Sequence, residues 1–289
     1  MTRNEFSARF GTGIHLLDGA TGSNLMKAGM PKNVCTEQWV LAHPEAILDL
    51  QSAYVEAGSE IVYAPSFGAN RLLLERHGLA DKVSVFNRAL AALSKGAFSG
   101  KALVAGDLTT TGQPIDTEDE DDYQDFVEIY KEQAGALGEG GADLFVVETM
   151  MGVTECMAAV DAIRSLCDLP ILCTLSVQAD GKCYFDGTAM EAAKVLTELG
   201  ADAVGVNCSG GPEQLESVIR AVRTQTHLPV IAKPNAGLPT VNDAGEAVYP
   251  MGPEAFAKAM QPLMEAGASI VGGCCGTTPA HIRALKAIL

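Results

Sequence analysis

The stretch Gly140-Gly141-Ala142-Asp143-Leu144-Phe145-Val146-Val147-Glu148 decides the fold. A glycine pair of the kind that ends a helix runs into an unbroken apolar segment, and that segment stops on a carboxylate. An uninterrupted apolar interior is the mark of a strand buried on both faces of a parallel sheet. The same punctuation recurs at Glu56-Ala57-Gly58, Gly200-Ala201-Asp202 and Ala266-Gly267-Ala268, each just before another apolar run. Working outward in both directions gives strands at Ile14–Asp18, Glu60–Ala64, Ala102–Gly106, Leu144–Glu148, Ile171–Leu175, Ala203–Asn207, Val230–Lys233 and Ile270–Gly273. Helical stretches lie between them. One starts at Pro44, where Glu45 and a stripe of Ile47, Leu48 and Tyr54 follow, and others cover Thr188–Leu199, Ser209–Arg223, Pro253–Ala266 and Pro279–Leu289. The β–α units repeat every roughly 25 to 45 residues, which predicts an α/β chain folded as a single (β/α)8 TIM barrel over 1–289. An open doubly wound sheet is the alternative, but Asp18-Gly19-Ala20-Thr21-Gly22-Ser23 does not carry the glycine spacing of a dinucleotide fingerprint.

Composition sets outer bounds. The chain has 289 residues, 47% hydrophobic and 19% charged, enough apolar material for a large core. A net charge of −16 argues against nucleic acid and against anionic membrane surfaces as partners. No apolar run reaches the roughly 20 residues a membrane helix needs, and Met1-Thr2-Arg3-Asn4-Glu5-Phe6 lacks a signal-peptide core, so a soluble, cytoplasmic protein is expected. The run Asp116–Asp122 reads as a solvated loop whose acidic residues favour the positive end of a helix near Tyr123; it lacks the ligand spacing of a calcium loop.

In a barrel, chemistry collects where strands end. Here the ends carry Asp18-Gly19, Glu148, Asn207-Cys208, Lys233-Pro234-Asn235 and Gly272-Gly273-Cys274-Cys275-Gly276. Cys208 and the Cys274–Cys275 pair would meet at one mouth. Three thiolates with an open fourth position suit a catalytic Zn²⁺. Both members of the vicinal pair can reach one metal only if the strand leaves its pleat, which the flanking glycines allow. Buried core thiols are the competing reading, assigned to Cys35, Cys156, Cys167, Cys173 and Cys183; a vicinal disulfide does not fit a reducing cell. A centre rich in thiolates would bind a substrate thiol, deprotonate it and keep it nucleophilic, pointing to alkyl transfer onto sulfur.

Other polar ends have two readings each. Glu148 either holds a substrate amine or serves in a buried ion pair, and its burial calls for a cationic partner. The turn Asp18-Gly19-Ala20-Thr21-Gly22-Ser23 either offers backbone N–H groups to a carboxylate or is a tight βα turn. Lys233 is either an ion-paired lysine or a Schiff-base nucleophile in a metal-free carbonyl enzyme. A non-catalytic thiol-binding subunit is a further alternative.

Val271-Gly272-Gly273-Cys274-Cys275-Gly276-Thr277-Thr278-Pro279-Ala280-His281-Ile282 resembles the C-terminal signature of the homocysteine S-methyltransferases. Gly205-Val206-Asn207-Cys208-Ser209-Gly210-Gly211-Pro212 is similar to their first zinc-ligand motif, and Leu17–Ser23, Ser66–Arg71 and Pro234–Pro239 match as well. Within that family the Thr277-Thr278-Pro279 and Pro234–Pro239 stretches look most like the homocysteine-binding domain of cobalamin-dependent methionine synthase. The resemblance implies zinc on Cys208, Cys274 and Cys275. It implies that Glu148 holds the homocysteine amine and that the Asp18, Gly19, Ala20, Thr21 turn receives the amino-acid end. It implies methyl transfer to the thiolate, giving methionine. Thr21, Ser23 and Pro65 depart from the usual residues at their positions. With the chain ending after the barrel, the expected donor is methylcobalamin on a separate corrinoid protein; S-methylmethionine, S-adenosylmethionine or betaine are the alternatives.

Overall fold

The computed structural model describes residues 1–242 and 247–289. Eight parallel strands form one sheet: β1 (His15–Leu16), β2 (Ile61–Tyr63), β3 (Leu103–Thr109), β4 (Leu144–Met150), β5 (Ile171–Leu175), β6 (Ala203–Asn207), β7 (Val230–Lys233) and β10 (Ala268–Val271), with a short hairpin, β8 (Thr240–Val241) and β9 (Ala247–Val248), inserted before the last. The order β1-β10-β7-β6-β5-β4-β3-β2 closes through a parallel bridge between Leu17 and Ile61, so the sheet is a (β/α)8 barrel. The Glu60 N–H donates to the Leu16 carbonyl and the Leu17 N–H to the Val271 carbonyl, both at 2.8 Å, and these bonds bind the first strand to its two neighbours.

Strand alternation sorts each side chain to one of two cores. On β4, Phe145 and Val147 face outward into the layer shared with α7 (Glu120–Glu139) and α8 (Val153–Leu166), while Leu144 and Val146 fill the lumen. The lumen also takes Ile61, Ala105, Leu172, Ala203, Ile231 and Ile270. Its lower end is plugged by α1 (Arg3–Phe10), whose Phe6 and Phe10 rings stack at 4.7 Å and are buried among the lumen residues. Continuing the alternation upward places Tyr63, Asp107, Glu148, Asn207 and Lys233 on the inward side, each two residues beyond a lumen residue or, for Asn207, four beyond Ala203. A polar layer therefore caps an apolar one.

The helix ends read from the sequence are present. Gly58, Gly141, Gly200 and Gly267 all adopt positive φ, from 89° to 116°, just where helices hand over to strands. The acidic run leads into α7, with Asp119 as the cap and Glu120, Asp121 and Asp122 in its first turn. Several boundaries differ from expectation: β1 and β2 are shorter than their apolar runs, and β3 and β4 run on to Thr109 and Met150. The helix expected over Ser209–Arg223 begins only at Glu216, after a 3₁₀ turn at Pro212–Gln214, because Gly210-Gly211-Pro212 cannot sustain a helix. The last strand runs over Ala268–Val271 rather than Ile270–Gly273, since Gly272 and Gly273 turn their N–H groups to Ala232 and Asp18. Cys35, Cys156, Cys173 and Cys183 are buried as expected of core thiols, and Cys167 is half-buried. Among the described residues no helix is long and apolar enough to cross a membrane.

Phe10 has no exposed surface and fills the plug, so Phe10→Ala should cost about 3–5 kcal/mol of stability. A urea unfolding midpoint within error of the parent would show that the plug does not carry the barrel.

Candidate active site

The C-terminal ends of the strands surround a cavity of ≈ 410 Å³. Asp107, Glu148, Lys233 and Tyr63 reach it from the polar layer, the turn Gly19–Ser23 forms one wall, and Cys208, Cys274 and Cys275 form another. Its outer part is lined by Val34, Phe67, Leu73, Arg76 and His77.

The three cysteines arrive by leaving the sheet. Cys208 directly follows β6 and adopts a left-handed backbone, φ 51°, as does Thr149 within β4, φ 58°. Such conformations cost a non-glycine residue on the order of 1–3 kcal/mol and need support from their surroundings. Asn207 gives it to Thr149: its Oδ1 accepts from the Thr149 N–H at 2.8 Å and its Nδ2 donates to the Thr149 hydroxyl at 2.7 Å. The Cys208 N–H donates to the Lys233 carbonyl at 3.2 Å. Cys274 and Cys275 lie on a turn beyond β10. The Cys274 N–H donates to the Pro234 carbonyl, and the Cys275 carbonyl accepts from the Ala236 N–H. Gly276 closes the turn at φ 82°, with Tyr249 packed where a side chain would stand. The pleat is thus broken as the sequence required, and both vicinal thiols face Cys208. All three sulfurs lie within 4.8 Å of one another, with Cys208 and Cys275 at 3.6 Å.

Crowding sets the protonation of this trio. Hydrogen bonds from the Cys208 and Cys274 thiols hold Cys275 down at about 3, whereas hydrogen bonding to Cys208 and Cys275, together with burial, pushes Cys274 well up. One thiolate is stabilised by two thiols, and a cation is what would let all three ionise. The donor set is soft, convergent and half-buried at the cavity edge, which fits a tetrahedral metal with one position left for a ligand from the cavity.

Across the cavity stands a buried ion-pair cluster. Lys233 Nζ lies 3.0 Å from Asp18 Oδ1 and 3.6 Å from Glu148 Oε2, and 3.7 Å above the centre of the Tyr63 ring. The cationic partner expected for Glu148 is therefore Lys233. Burial works to lower the lysine pKa, but Asp18 and Glu148 outweigh it and hold the amine protonated well above its ordinary range. A lysine held this way is no Schiff-base nucleophile, so the ion-paired reading of Lys233 stands. Burial also pushes the Glu148 carboxyl up, against the pull of Lys233. Asp18 Oδ2 accepts from the Tyr63 N–H at 2.8 Å. In the first turn, the Ala20 N–H is taken by the Thr277 hydroxyl at 3.1 Å. The donors at the cavity wall there are those at the head of α2 (Gly22–Lys27), which Thr21 precedes without capping them through its side chain, and the buried Ser23 hydroxyl has no hydrogen-bond partner. Tyr63, Asp107 and Ser23 are cavity groups to which the sequence reading gave no role of their own.

The homocysteine S-methyltransferase family model matches residues 15–289. The chain belongs to that family. It is 30% identical over 288 residues to a methionine synthase of Mycobacterium tuberculosis (strain ATCC 25618 / H37Rv), covering 93% of this chain and 24% of the relative. The chain thus spans about a quarter of the length of the curated relatives it matches. Among solved structures, the homocysteine methyltransferase MmuM from Escherichia coli superimposes in its oxidized form with a TM-score of 0.79 at 23% identity, covering 96% of each chain. Its metallated form gives 0.78 at 22% identity, covering 96% of this chain and 97% of that one. At this identity the likeness is one of fold.

Lys233→Met keeps much of the side-chain volume but strands two buried carboxylates, and should cost about 3–5 kcal/mol. Adding Glu148→Gln should return part of that loss. A double-mutant cycle by urea unfolding with no coupling between the two positions would contradict the ion-pair reading.

Proposed function

We propose that this family member transfers a methyl group to the thiol of homocysteine, giving methionine, with residues 1–289 acting as one barrel domain. The observation that carries the proposal is the convergence of Cys208, Cys274 and Cys275 to within 4.8 Å at the edge of a cavity also lined by Glu148 and Lys233, with Asp18 ion-paired to Lys233 behind them. The three cysteines would hold Zn²⁺. The metal, when bound, would lower the pKa of a substrate thiol and leave its sulfur electron-rich. A related barrel described in a metallated form supports this assignment.

The remaining work belongs to the chain's own groups. Glu148 would accept hydrogen bonds from the substrate ammonium, held toward the cavity by Lys233 and by the Asn207 amide at 3.3 Å. The turn Asp18-Gly19-Ala20-Thr21 would receive the amino-acid end, with the carboxylate at the head of α2 beside Thr21 and Ser23. Holding both ends of the amino acid fixes the sulfur near the thiols and removes much of the entropic cost of alignment. The buried walls exclude water, which favours alkyl transfer over hydrolysis. For the donor we propose methylcobalamin carried on a separate corrinoid protein that approaches the open mouth; the likeness to methionine synthase supports this choice. Eight free cysteines, with no disulfide, fit a reducing compartment such as the cytoplasm.

Zinc content and homocysteine titration in the parent and in Cys208→Ala test the site. About one zinc per chain, lost in the variant together with homocysteine binding, is expected. A reduced, zinc-supplied parent that stays metal-free would remove the basis of the proposal. Methionine should form from homocysteine with methylcobalamin or a methylated corrinoid protein. Formation from S-methylmethionine, S-adenosylmethionine or betaine without any corrinoid would assign the donor instead to that small molecule.

A further inference from the structure

Two neighbouring residues rarely aim their side chains at one point, so the sulfurs of Cys274 and Cys275 need holding from outside the turn that carries them. Cys208 and Cys274 hydrogen-bond within the trio. Cys275 also has a partner beyond it, the Tyr249 side chain. The hydroxyl is the one polar atom of that side chain, so the bond is an O–H donated to sulfur. Packing puts it there. Tyr249 directly follows β9 and is half-buried, and a Cβ at Gly276 would fall on its ring. The absence of a side chain at Gly276 therefore lets the ring lie against the cysteine turn. The backbone beyond Tyr249 is tied to the same turn. Pro250 closes over Gly237, where a Cβ would stand 2.9 Å from the Pro250 Cγ. The Met251 N–H donates to the Ala236 carbonyl at 3.0 Å, and the Ala236 N–H donates to the Cys275 carbonyl at 2.9 Å. His281 Nε2 lies 2.9 Å from the Met251 carbonyl. The segment Tyr249–Met251 is thus anchored on both sides of the thiol that its hydroxyl meets.

We propose that Tyr249 is a positioning residue of the metal centre: its hydroxyl fixes the Cys275 sulfur by a hydrogen bond, aiming it at the point that Cys208 and Cys274 share. The inference rests on the proposed zinc site and adds a residue, from a part of the chain that carries no ligand, to the parts that build it. Groups that hydrogen-bond to a metal ligand set its orientation and its electron donation, and both apply here. Fixing the sulfur in advance removes a rotamer cost from metal binding. A hydrogen bond to a thiolate also draws electron density from the sulfur, which makes Cys275 a slightly weaker donor than its two partners. Burial, then the charge of Cys275, push the Tyr249 hydroxyl up, so it keeps the proton that it donates. Cys275 lines the cavity, where the fourth position would exchange during turnover, and a sulfur held from behind stays in place while that exchange occurs.

The test is Tyr249→Phe, which keeps the ring on Gly276 and removes only the hydroxyl, read out in two ways on the reduced full chain. Zinc affinity, measured by competition with a chromophoric chelator, should fall by about 10-fold. In the Co²⁺-substituted protein, the sulfur-to-metal charge-transfer absorption should move to longer wavelength, because a thiolate that has lost its hydrogen bond gives up an electron more easily. Packing alone would leave that band where it is. Both readouts have to move: a fall in affinity with an unshifted band assigns Tyr249 a packing role only, and an unchanged affinity shows that it does not position the ligand, so either result overturns the inference and leaves the proposed function standing. If the parent itself binds neither Zn²⁺ nor Co²⁺, the proposed function falls and takes the inference with it. Should Tyr249→Phe fail to fold, Tyr249→Leu, which also lacks the hydroxyl, decides by the same two readouts.

Discussion

Lys233 ties the mouth of this barrel together. Its ammonium is buried, and burying a charge is tolerable only when paired charges and hydrogen bonds replace water. The partners come from different parts of the chain: Asp18 from the end of the first β unit and Glu148 from β4, with the Tyr63 ring of β2 beneath. None of the three can move far without leaving another charge exposed to an apolar surrounding. The cluster fixes the relative height of three strand ends, and the turns that carry the functional groups are built on them. Asp18 leads directly into the Gly19–Ser23 turn that walls the cavity, and the Lys233 carbonyl holds the Cys208 N–H. Pro234, next along, holds Cys274. One buried amine thus organises both walls of the cavity.

The division of labour between strand and turn follows from the pleat. Alternate residues of a strand can deliver one side chain per two positions to the lumen, which is enough for isolated carboxylates and a lysine but not for two adjacent thiols. Tyr63, Asp107, Glu148, Asn207 and Lys233 are all strand residues that obey the alternation. Cys208, Cys274 and Cys275 all lie past the ends of strands, where left-handed Cys208 and a glycine-flanked turn release them from it. The polar groups that stand alone on the cavity wall sit on the sheet. Groups that must converge on one point sit on loops braced by backbone hydrogen bonds to the neighbouring strand.

That division also explains what could be read in advance. The strands β5, β6 and β7 fall where the apolar runs predict, and the three thiols were legible because a Gly-Gly-Cys-Cys-Gly turn has no reason to exist in a strand interior. Asp107 was missed for a specific reason. The apolar run of β3 breaks at Gly106-Asp107, and a strand ended there by hydropathy alone turns Asp107 into a loop residue. In the fold β3 continues to Thr109, because its neighbour β4 extends the ladder and pairs Asp107 with Val146 and Thr109 with Glu148. Ladder pairing is a non-local property that hydropathy does not carry. The plug helix α1 escaped for the opposite reason: Phe6 and Phe10 are two apolar residues in a polar segment, and only the open lower end of the lumen gives them somewhere to go.

The electrostatics of the cavity separate the chemistries that its residues might otherwise support. Carbonyl chemistry through a lysine needs a free amine, and here two carboxylates keep the proton on Lys233. Hydrolysis by an activated water needs an electron-poor metal and an accessible solvent path. A set of three thiolates would leave a bound metal rich in electrons, and the cavity walls around it are buried. A metal held by such a set would favour a soft nucleophile: a sulfur that would lose its proton on binding and gain no competing positive charge from the other ligands.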